Sequence, residues 1–171
     1  MKTFLKSGIA LAAFIGFAAP ALAQSSATTT GTTTILQPVT IAQNSPLAFG
    51  RIVRPTTGTG TVTIGTGGDA VTTGGGAVAL ASTTSRARYT VSGEGAQTVS
   101  VAMPTSFNLS KTGAPDIAVT LTRNPAGVLT LSNVLGSAGT AALDIGGSFS
   151  ISSVTDTGDY AGTFAVSVAY N

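Results

Sequence analysis

The chain has 171 residues, with eight basic and six acidic side chains and neither histidine nor cysteine. Histidine is the commonest general base and metal ligand, and cysteine supplies thiolate chemistry, disulfide bonds and an attachment point for a lipid. We therefore predict that the chain is not an enzyme, and we predict no cofactor and no metal site.

Residues 1–23 have the pattern of a cleaved signal peptide. A basic start precedes an apolar run over residues 8–19, which Pro20 ends. This run is shorter than the about 20 residues that a membrane-spanning helix needs, so an N-terminal anchor is the less favoured alternative. The small-x-small tripeptide that ends at Ala23 predicts cleavage before Gln24. We expect an exported protein, located in the periplasm, at the cell surface or outside the cell, with no later membrane-spanning segment.

The part of the chain that follows the leader is electrically balanced. Lys2 and Lys6 leave with the leader, so six basic and six acidic residues remain. A neutral chain without a basic cluster offers no binding surface for phosphates, so we do not expect nucleic acid as a partner. Residues 24–34 are rich in Ser, Thr and Gly and are predicted to be a flexible tail. Residues 35–171 are predicted to form one β-sandwich domain.

Short alternating runs of Val, Ile, Leu and Thr, separated by Gly, Pro, Asn and Asp, predict an all-β chain. Nowhere do apolar residues recur at helical spacing over three turns. Evenly spaced short strands of this kind are typical of an immunoglobulin-like antiparallel β-sandwich. The predicted strands, in chain order, cover residues 33–43, 47–53, 60–64, 77–81, 87–91, 98–103, 117–122, 128–131, 141–145, 149–154 and 160–170.

The first predicted strand has an apolar face formed by Ile35, Val39 and Ile41. Pro38 interrupts it, and because proline cannot donate a hydrogen bond to a neighbouring strand, this segment belongs at a sheet edge or a strand end. Residues 24–34 contain only Ala27 as an apolar side chain larger than glycine. The first strand is therefore the better candidate for pairing with a partner.

The last predicted strand has the clearest period of two in the chain. Phe164, Val166, Val168 and Tyr170 alternate with small residues, which places them on one face of a strand. Such a face must be covered by another sheet or by a partner. We therefore predict that these four residues, with the apolar face of the first strand, take part in assembly.

Three further segments contain polar residues that could form a site. Asp156 and Asp159 could bind Ca²⁺ through oxygen, but Asp and Gly before a strand are ordinary turn residues. Residues 65–69 lack the Gly-Lys-Ser/Thr end of a phosphate loop and are predicted to form a turn. Arg86 and Arg88 are predicted to lie on a solvated strand face. We assign a site to none of the three.

Four segments carry a resemblance to known proteins: Leu47–Gly50, Gly60–Ile64, the Gly146-Gly147 pair before Phe149, and Gly158–Tyr170. With them the chain resembles a family of small secreted bacterial proteins that bears only a domain-of-unknown-function label. More distantly, it is similar to spore-coat-U-like and other chaperone–usher pilin subunits.

The pilin resemblance implies an incomplete immunoglobulin-like sandwich that a strand from a neighbouring subunit completes, with self-assembly or a periplasmic chaperone as the partner. We therefore expect a secreted structural protein, a pilin-like subunit of a surface fibre or extracellular matrix. The alternative is a monomeric periplasmic or surface module that binds a glycan or a partner protein. Whether the first strand completes its own domain stays open at this point.

Overall fold

A computed structural model describes residues 24–171, and this part of the chain consists of antiparallel sheets and connections without a helix. The all-β prediction is therefore confirmed. The predicted leader, residues 1–23 with Ala23 at its end, lies outside the described residues. The twelve strands are β1 (Thr40–Ser45), β2 (Arg51–Val53), β3 (Thr59–Ile64), β4 (Val71–Gly74), β5 (Val78–Leu80), β6 (Ala87–Glu94), β7 (Thr98–Ala102), β8 (Ser106–Leu109), β9 (Ile117–Asn124), β10 (Leu129–Thr130), β11 (Ala138–Ser152) and β12 (Ser167–Tyr170).

The largest sheet has seven strands and is organised around β11, which is 15 residues long. Along one edge, β11 pairs first with β6 and then with β3, while its other edge pairs with β9. The partner changes at Gly146, where a Cβ atom would overlap the carbonyl oxygen of Ile64. The sequence predicted two strands here, 141–145 and 149–154, and the structure joins them because the two glycines stay extended.

A three-stranded sheet, ordered β10-β7-β12, and a two-stranded sheet of β2 and β5 complete the fold. The core takes alternate residues from both larger sheets, as a period of two requires. Its fully buried members include Val62, Val91 and Leu143 from the seven-stranded sheet and Val99 from the three-stranded sheet. Residues Ile35–Asn171 form one compact unit. In the described part of the chain, no helix is both long enough and apolar enough to cross a membrane.

The start of the fold differs from the prediction. The first strand begins at Thr40 rather than at residue 33, and Ile35 belongs to no strand and is 87% exposed. Val39 and Ile41 are half-buried and pack against the core. The physical reason is Pro38, which lacks an N–H group and restricts the backbone of the residue before it.

Two strands were not predicted from the sequence. β4 consists largely of threonine and glycine, and β8 is only four residues long. Conversely, the predicted strand 47–53 is reduced to β2 and one isolated bridge between Ala48 and Ser85. In each case the strand is defined by pairing with a neighbour, β3 for β4, β9 for β8 and β5 for β2, rather than by the local pattern.

Candidate assembly surface

Residues 160–170, here called the terminal segment, present one face to the core and the other to solvent. Phe164, Val166, Val168 and Tyr170 are half-buried and pack against the core, and the residues between them are exposed. Phe164 lies against Phe107 of β8, with 5.0 Å between the ring centroids. The alternation that the sequence predicted is therefore present along the segment.

The terminal segment has few strand partners despite this alternation. Only β12 forms a ladder, with β7, from Ser167 opposite Ala102 to Tyr170 opposite Val99. Ala161 forms one isolated bridge with Ser110, with N–O distances of 2.8 and 3.1 Å. Within residues 24–171, no strand pairs with residues 162–166 or with the second edge of β12. The predicted long strand is thus short, because a strand needs a neighbour as well as a pattern.

Beside the start of the terminal segment lies a groove of about 430 Å³ with a mixed polar and apolar lining, here called the groove. Its walls are residues 47–52 on one side and the loop 155–160 on the other. Phe49 and Phe149 lie at its base together with Leu109, Ile117 and Ile151. A second groove of about 440 Å³ adjoins it and shares residues with it, among them Ile117 and Tyr160. Leu109 and Ile117 are half-buried there, whereas Phe49, Phe149 and Ile151 are buried, at 9%, 8% and 7% exposure, so the core reaches the base of the groove.

At its other end the terminal segment is tied to the start of the domain by three residues, Gln37, Glu94 and Tyr170, which we call the latch. The Tyr170 hydroxyl donates to the Gln37 carbonyl oxygen at 2.7 Å and accepts from the Glu94 main-chain N–H at 2.6 Å. The Glu94 carboxylate accepts from the Gln37 N–H at 3.2 Å and from the Gly136 N–H. Glu94 is only 2% exposed.

Residues 37–53, the first segment, and the terminal segment thus run in opposite directions along the same side of the domain. They meet at the latch, and the groove separates them at Leu47–Ile52 and Tyr160. Of the predicted assembly residues, Val39 and Ile41 join the four terminal ones on the core side. Ile35 does not, because it precedes Pro38 and is exposed.

The sequence did not predict that Gln37, Glu94 and Tyr170 contact one another. Glu94 lies between two glycines at the end of β6, and its partners Gln37 and Tyr170 are 57 and 76 positions away. A lone acidic residue in a strand carries no periodic signal. Its only mark in the sequence is that it is the one acidic residue of β6, whose other charged residue is Arg88.

Arg86 and Arg88 do not form the solvated face that the sequence predicted. The Arg86 side chain is only 16% exposed; its Nε lies 3.0 Å from Asp144 Oδ1 and its Nη1 lies 3.2 Å from Asp69 Oδ1. Arg88 pairs with the second oxygen of Asp69. Asp69 comes from the turn after β3 and Asp144 from β11, so the two carboxylates converge only in the folded chain. The main-chain N–H of Arg86 and the two guanidinium charges hold the pKa of Asp69 below its usual range, against desolvation, which raises it.

Asp156 and Asp159 lie in the loop that forms one wall of the groove. The Tyr160 hydroxyl donates to the Asp156 carbonyl oxygen at 3.2 Å, as in a local turn. No group of three or more acidic side chains close enough to hold a metal ion occurs within residues 24–171.

Residues 39–170 match the family model described as "Domain of unknown function (DUF4402)". Comparisons with curated proteins and with solved structures found no match.

Proposed function

The chain belongs to the DUF4402 family, a domain of unknown function, and from that premise we propose that it is an exported structural protein, a pilin-like subunit of a surface fibre or extracellular matrix. The observation that carries the proposal is the unpaired edge of the terminal segment, whose inner face is apolar. The proposal includes the leader at residues 1–23 and export from the cytoplasm.

We propose further that the two larger sheets close as an incomplete immunoglobulin-like sandwich. Two antiparallel sheets that share one core, with consecutive strands β6 and β7 in different sheets, support this assignment. A further strand between the first segment and the terminal segment would pair with the free edge of β12. The same strand would place alternate side chains in the groove, against the apolar side chains at its base.

The composition of the free edge supports its role in pairing. Natural proteins protect exposed strand edges with lysine, proline, bulges or a covering loop, because an open edge recruits other chains. Residues 162–170 contain neither a charged residue nor proline. An added strand would gain main-chain hydrogen bonds from this edge and specificity from the apolar positions, as in other complexes formed by strand addition.

A second copy of the chain is the occupant that we propose in the assembled state, with a periplasmic chaperone on the same edge during export. The test is size-exclusion chromatography and negative-stain microscopy of residues 24–171 purified from the periplasm. We expect polymers, or an aggregating species that a synthetic peptide of residues 31–44 keeps in solution. A stable monomer that neither polymerises nor binds the peptide would overturn the proposal.

A matched pair of variants separates edge pairing from general changes in solubility. Ala165→Lys places a charge on the exposed face of the unpaired stretch, and Thr73→Lys places one on β4, the last strand of the seven-stranded sheet. We expect the first to block assembly and the second to leave it intact. Equal effects of the two variants would contradict pairing along the terminal segment.

The second candidate function is that of a monomeric module that binds a glycan or a partner protein. The groove favours it, because concave sites that combine apolar side chains with a few polar groups are typical of ligand sites. Asp156, Asp159 and Tyr160 would supply those polar groups. A monomer in the test above, together with a ligand whose affinity falls in Tyr160→Ala, would favour this function over assembly.

A further inference from the structure

We propose that Gln37, Glu94 and Tyr170 form a releasable latch that controls when the gap between the first and terminal segments opens. The inference rests on the proposed function in one respect, namely that this gap is the assembly surface. Release of the latch frees Gln37 together with the residues before it. It also removes the hydrogen bonds that tie β12 to Gln37 and Glu94, so that β12 is held by pairing with β7 and by the packing of Val168 on the core.

The first argument is the cost of the buried carboxylate. Glu94 is 2% exposed, and within residues 24–171 no basic side chain forms an ion pair with it. Burying a charge without a counter-ion is costly, and apolar residues in such positions are often as stable or more stable. The carboxylate does gain two charge-assisted hydrogen bonds from main-chain N–H groups. Stability alone therefore does not explain why a glutamate stands at this position.

The second argument concerns the two residues that donate hydrogen bonds to the Glu94 carboxylate. Its two donors, Gln37 and Gly136, both lie outside the strands: Gln37 precedes β1 and Gly136 lies in the β10–β11 connection. No ladder hydrogen bond fixes either residue. The Glu94 carboxylate thus bonds to both segments at the end of β6, and replacing it with a neutral side chain weakens both bonds. The segment of Gly136 is also held by the bond from the Gly95 N–H to the Ser137 carbonyl oxygen at 2.8 Å.

The third argument is how the tyrosine completes the latch. The Tyr170 hydroxyl bonds to both Gln37 and Glu94, so it connects the last strand to the first segment. The ring has room because Gly93 lacks a side chain: a Cβ there would overlap the Tyr170 hydroxyl. If the Tyr170 side chain moves away, the Gln37 carbonyl and the Glu94 N–H both lose the hydroxyl group to which they are bonded. The three residues therefore open and close as a unit.

Opening has a defined consequence for assembly. While the latch is closed, the first and terminal segments are held together at one end, and a full-length strand has no room between them there. After release, the gap is accessible along its whole length, and the exposed Ile35 moves with the freed segment. The latch therefore controls when the gap is accessible, and its Tyr170 belongs to β12, the strand with which the added strand would pair.

The experiment uses residues 24–171 with the variants Glu94→Gln and Tyr170→Phe, and with Tyr160→Phe as the control. Tyr160 carries a hydroxyl that donates to Asp156 at the groove end, away from the latch. Hydrogen exchange of the monomer is followed by mass spectrometry. We expect peptides that cover residues 36–41 to exchange at least 10-fold faster in both latch variants, while β9 and the middle of β11 stay protected. The control should exchange like the wild type.

A destabilised variant outside the latch, Ile151→Val, excludes a merely structural effect. If Ile151→Val accelerates exchange at residues 36–41 as much as Glu94→Gln does, the proposal of a latch is wrong. It is also wrong if neither latch variant accelerates exchange there. Faster assembly of the latch variants, followed by light scattering, supports its control of assembly. If the wild type and all variants stay monomeric, the proposed function fails, whereas the exchange data still decide whether the latch exists.

Discussion

Phe49 and Phe149 pack edge to face, with ring centroids 4.8 Å apart and an angle of 86° between the rings. Phe49 precedes β2 and Phe149 lies in the second half of β11, so the pair joins the first segment to the largest sheet. Both are nearly buried, at 9% and 8% exposure, yet both line the groove. The base of the groove is therefore part of the core.

This pair gives the first prediction. Phe149→Ala should lower the free energy of unfolding by about 3–5 kcal/mol, because it removes buried area and leaves a cavity. A double-mutant cycle with Phe49→Leu and Phe149→Leu should give a coupling of about 0.5–1.5 kcal/mol, the usual range for aromatic pairs. Urea unfolding measures both. The half-buried pair of Phe107 and Phe164 is the comparison, and a coupling at Phe49 and Phe149 that is no larger than theirs would contradict the prediction.

The second prediction concerns the glycine under Tyr170. In Gly93→Ala the new methyl group overlaps the Tyr170 hydroxyl and crowds Leu131, so we expect a loss of about 1–3 kcal/mol, as for other overpacked sites. Gly67→Ala is the control, because a Cβ at Gly67 meets no atom within 4 Å. Thermal unfolding by circular dichroism compares them.

The double variant Gly93→Ala/Tyr170→Phe tests the stated cause. It removes the hydroxyl with which the methyl group collides, so part of the lost stability should return. If the two substitutions simply add, the collision is not the reason for the loss.

The third prediction concerns acid stability. The folded-state pKa of Asp69 is lowered, first by the Arg86 N–H and then by the arginine charges, so the ionised form stabilises the fold. This contribution is present above the unfolded-state pKa of about 3.9 and is lost as the pH falls through the lower folded-state value. The Asp69→Asn variant lacks this stabilising contribution at every pH. The stability difference between wild type and variant should therefore shrink between about pH 4 and pH 2 in urea titrations.

Asp159→Asn is the control for this prediction, since Asp159 forms no ion pair within residues 24–171. A difference between wild type and Asp69→Asn that stays constant down to pH 2 would show that the ionised Asp69 does not stabilise the fold. The arginines would then be held by their other contacts.

The sequence predicted which side chains face the core more accurately than it predicted which strands pair with one another. The alternation in β3, β9 and the terminal segment correctly indicates which side chains face the core, because a period of two is a local property. It does not indicate whether another strand lies alongside, and so the terminal strand was predicted too long. β4 was missed for the converse reason: its few apolar residues give no pattern, and pairing with β3 alone makes it a strand.

The candidate site was predicted only in part, again because a local pattern does not indicate which distant residues come together. The apolar positions of the terminal segment are visible in the sequence, and so is Pro38, after which the first strand begins. The ion pairs of Asp69 and the contacts of Glu94 are not, because they join residues from distant parts of the chain. Polar contacts of this kind depend on sheet order, which a single sequence does not specify.

The last prediction compares truncations at the two ends of the described chain. Removing residues 155–171 takes β12 from β7 and removes half-buried Phe164 and Val168 from the core. The three-stranded sheet is then reduced to β7 and the two-residue β10, too little to be stable alone. We expect a chain without a cooperative thermal transition. Removing residues 24–34 takes away only exposed residues without a strand, so the transition should stay within about 2 °C of the longer chain.

Circular dichroism and one-dimensional NMR of both truncated chains decide the outcome. A soluble, cooperatively folded chain that ends at Val154 would show that the terminal segment is dispensable, and edge pairing through it would then have no basis. A loss of folding on removal of residues 24–34 would instead place part of the core's cover in that tail. The contrast between the two truncations is informative because both removed segments carry little charge. Only residues 155–171 contribute alternating apolar side chains to the core.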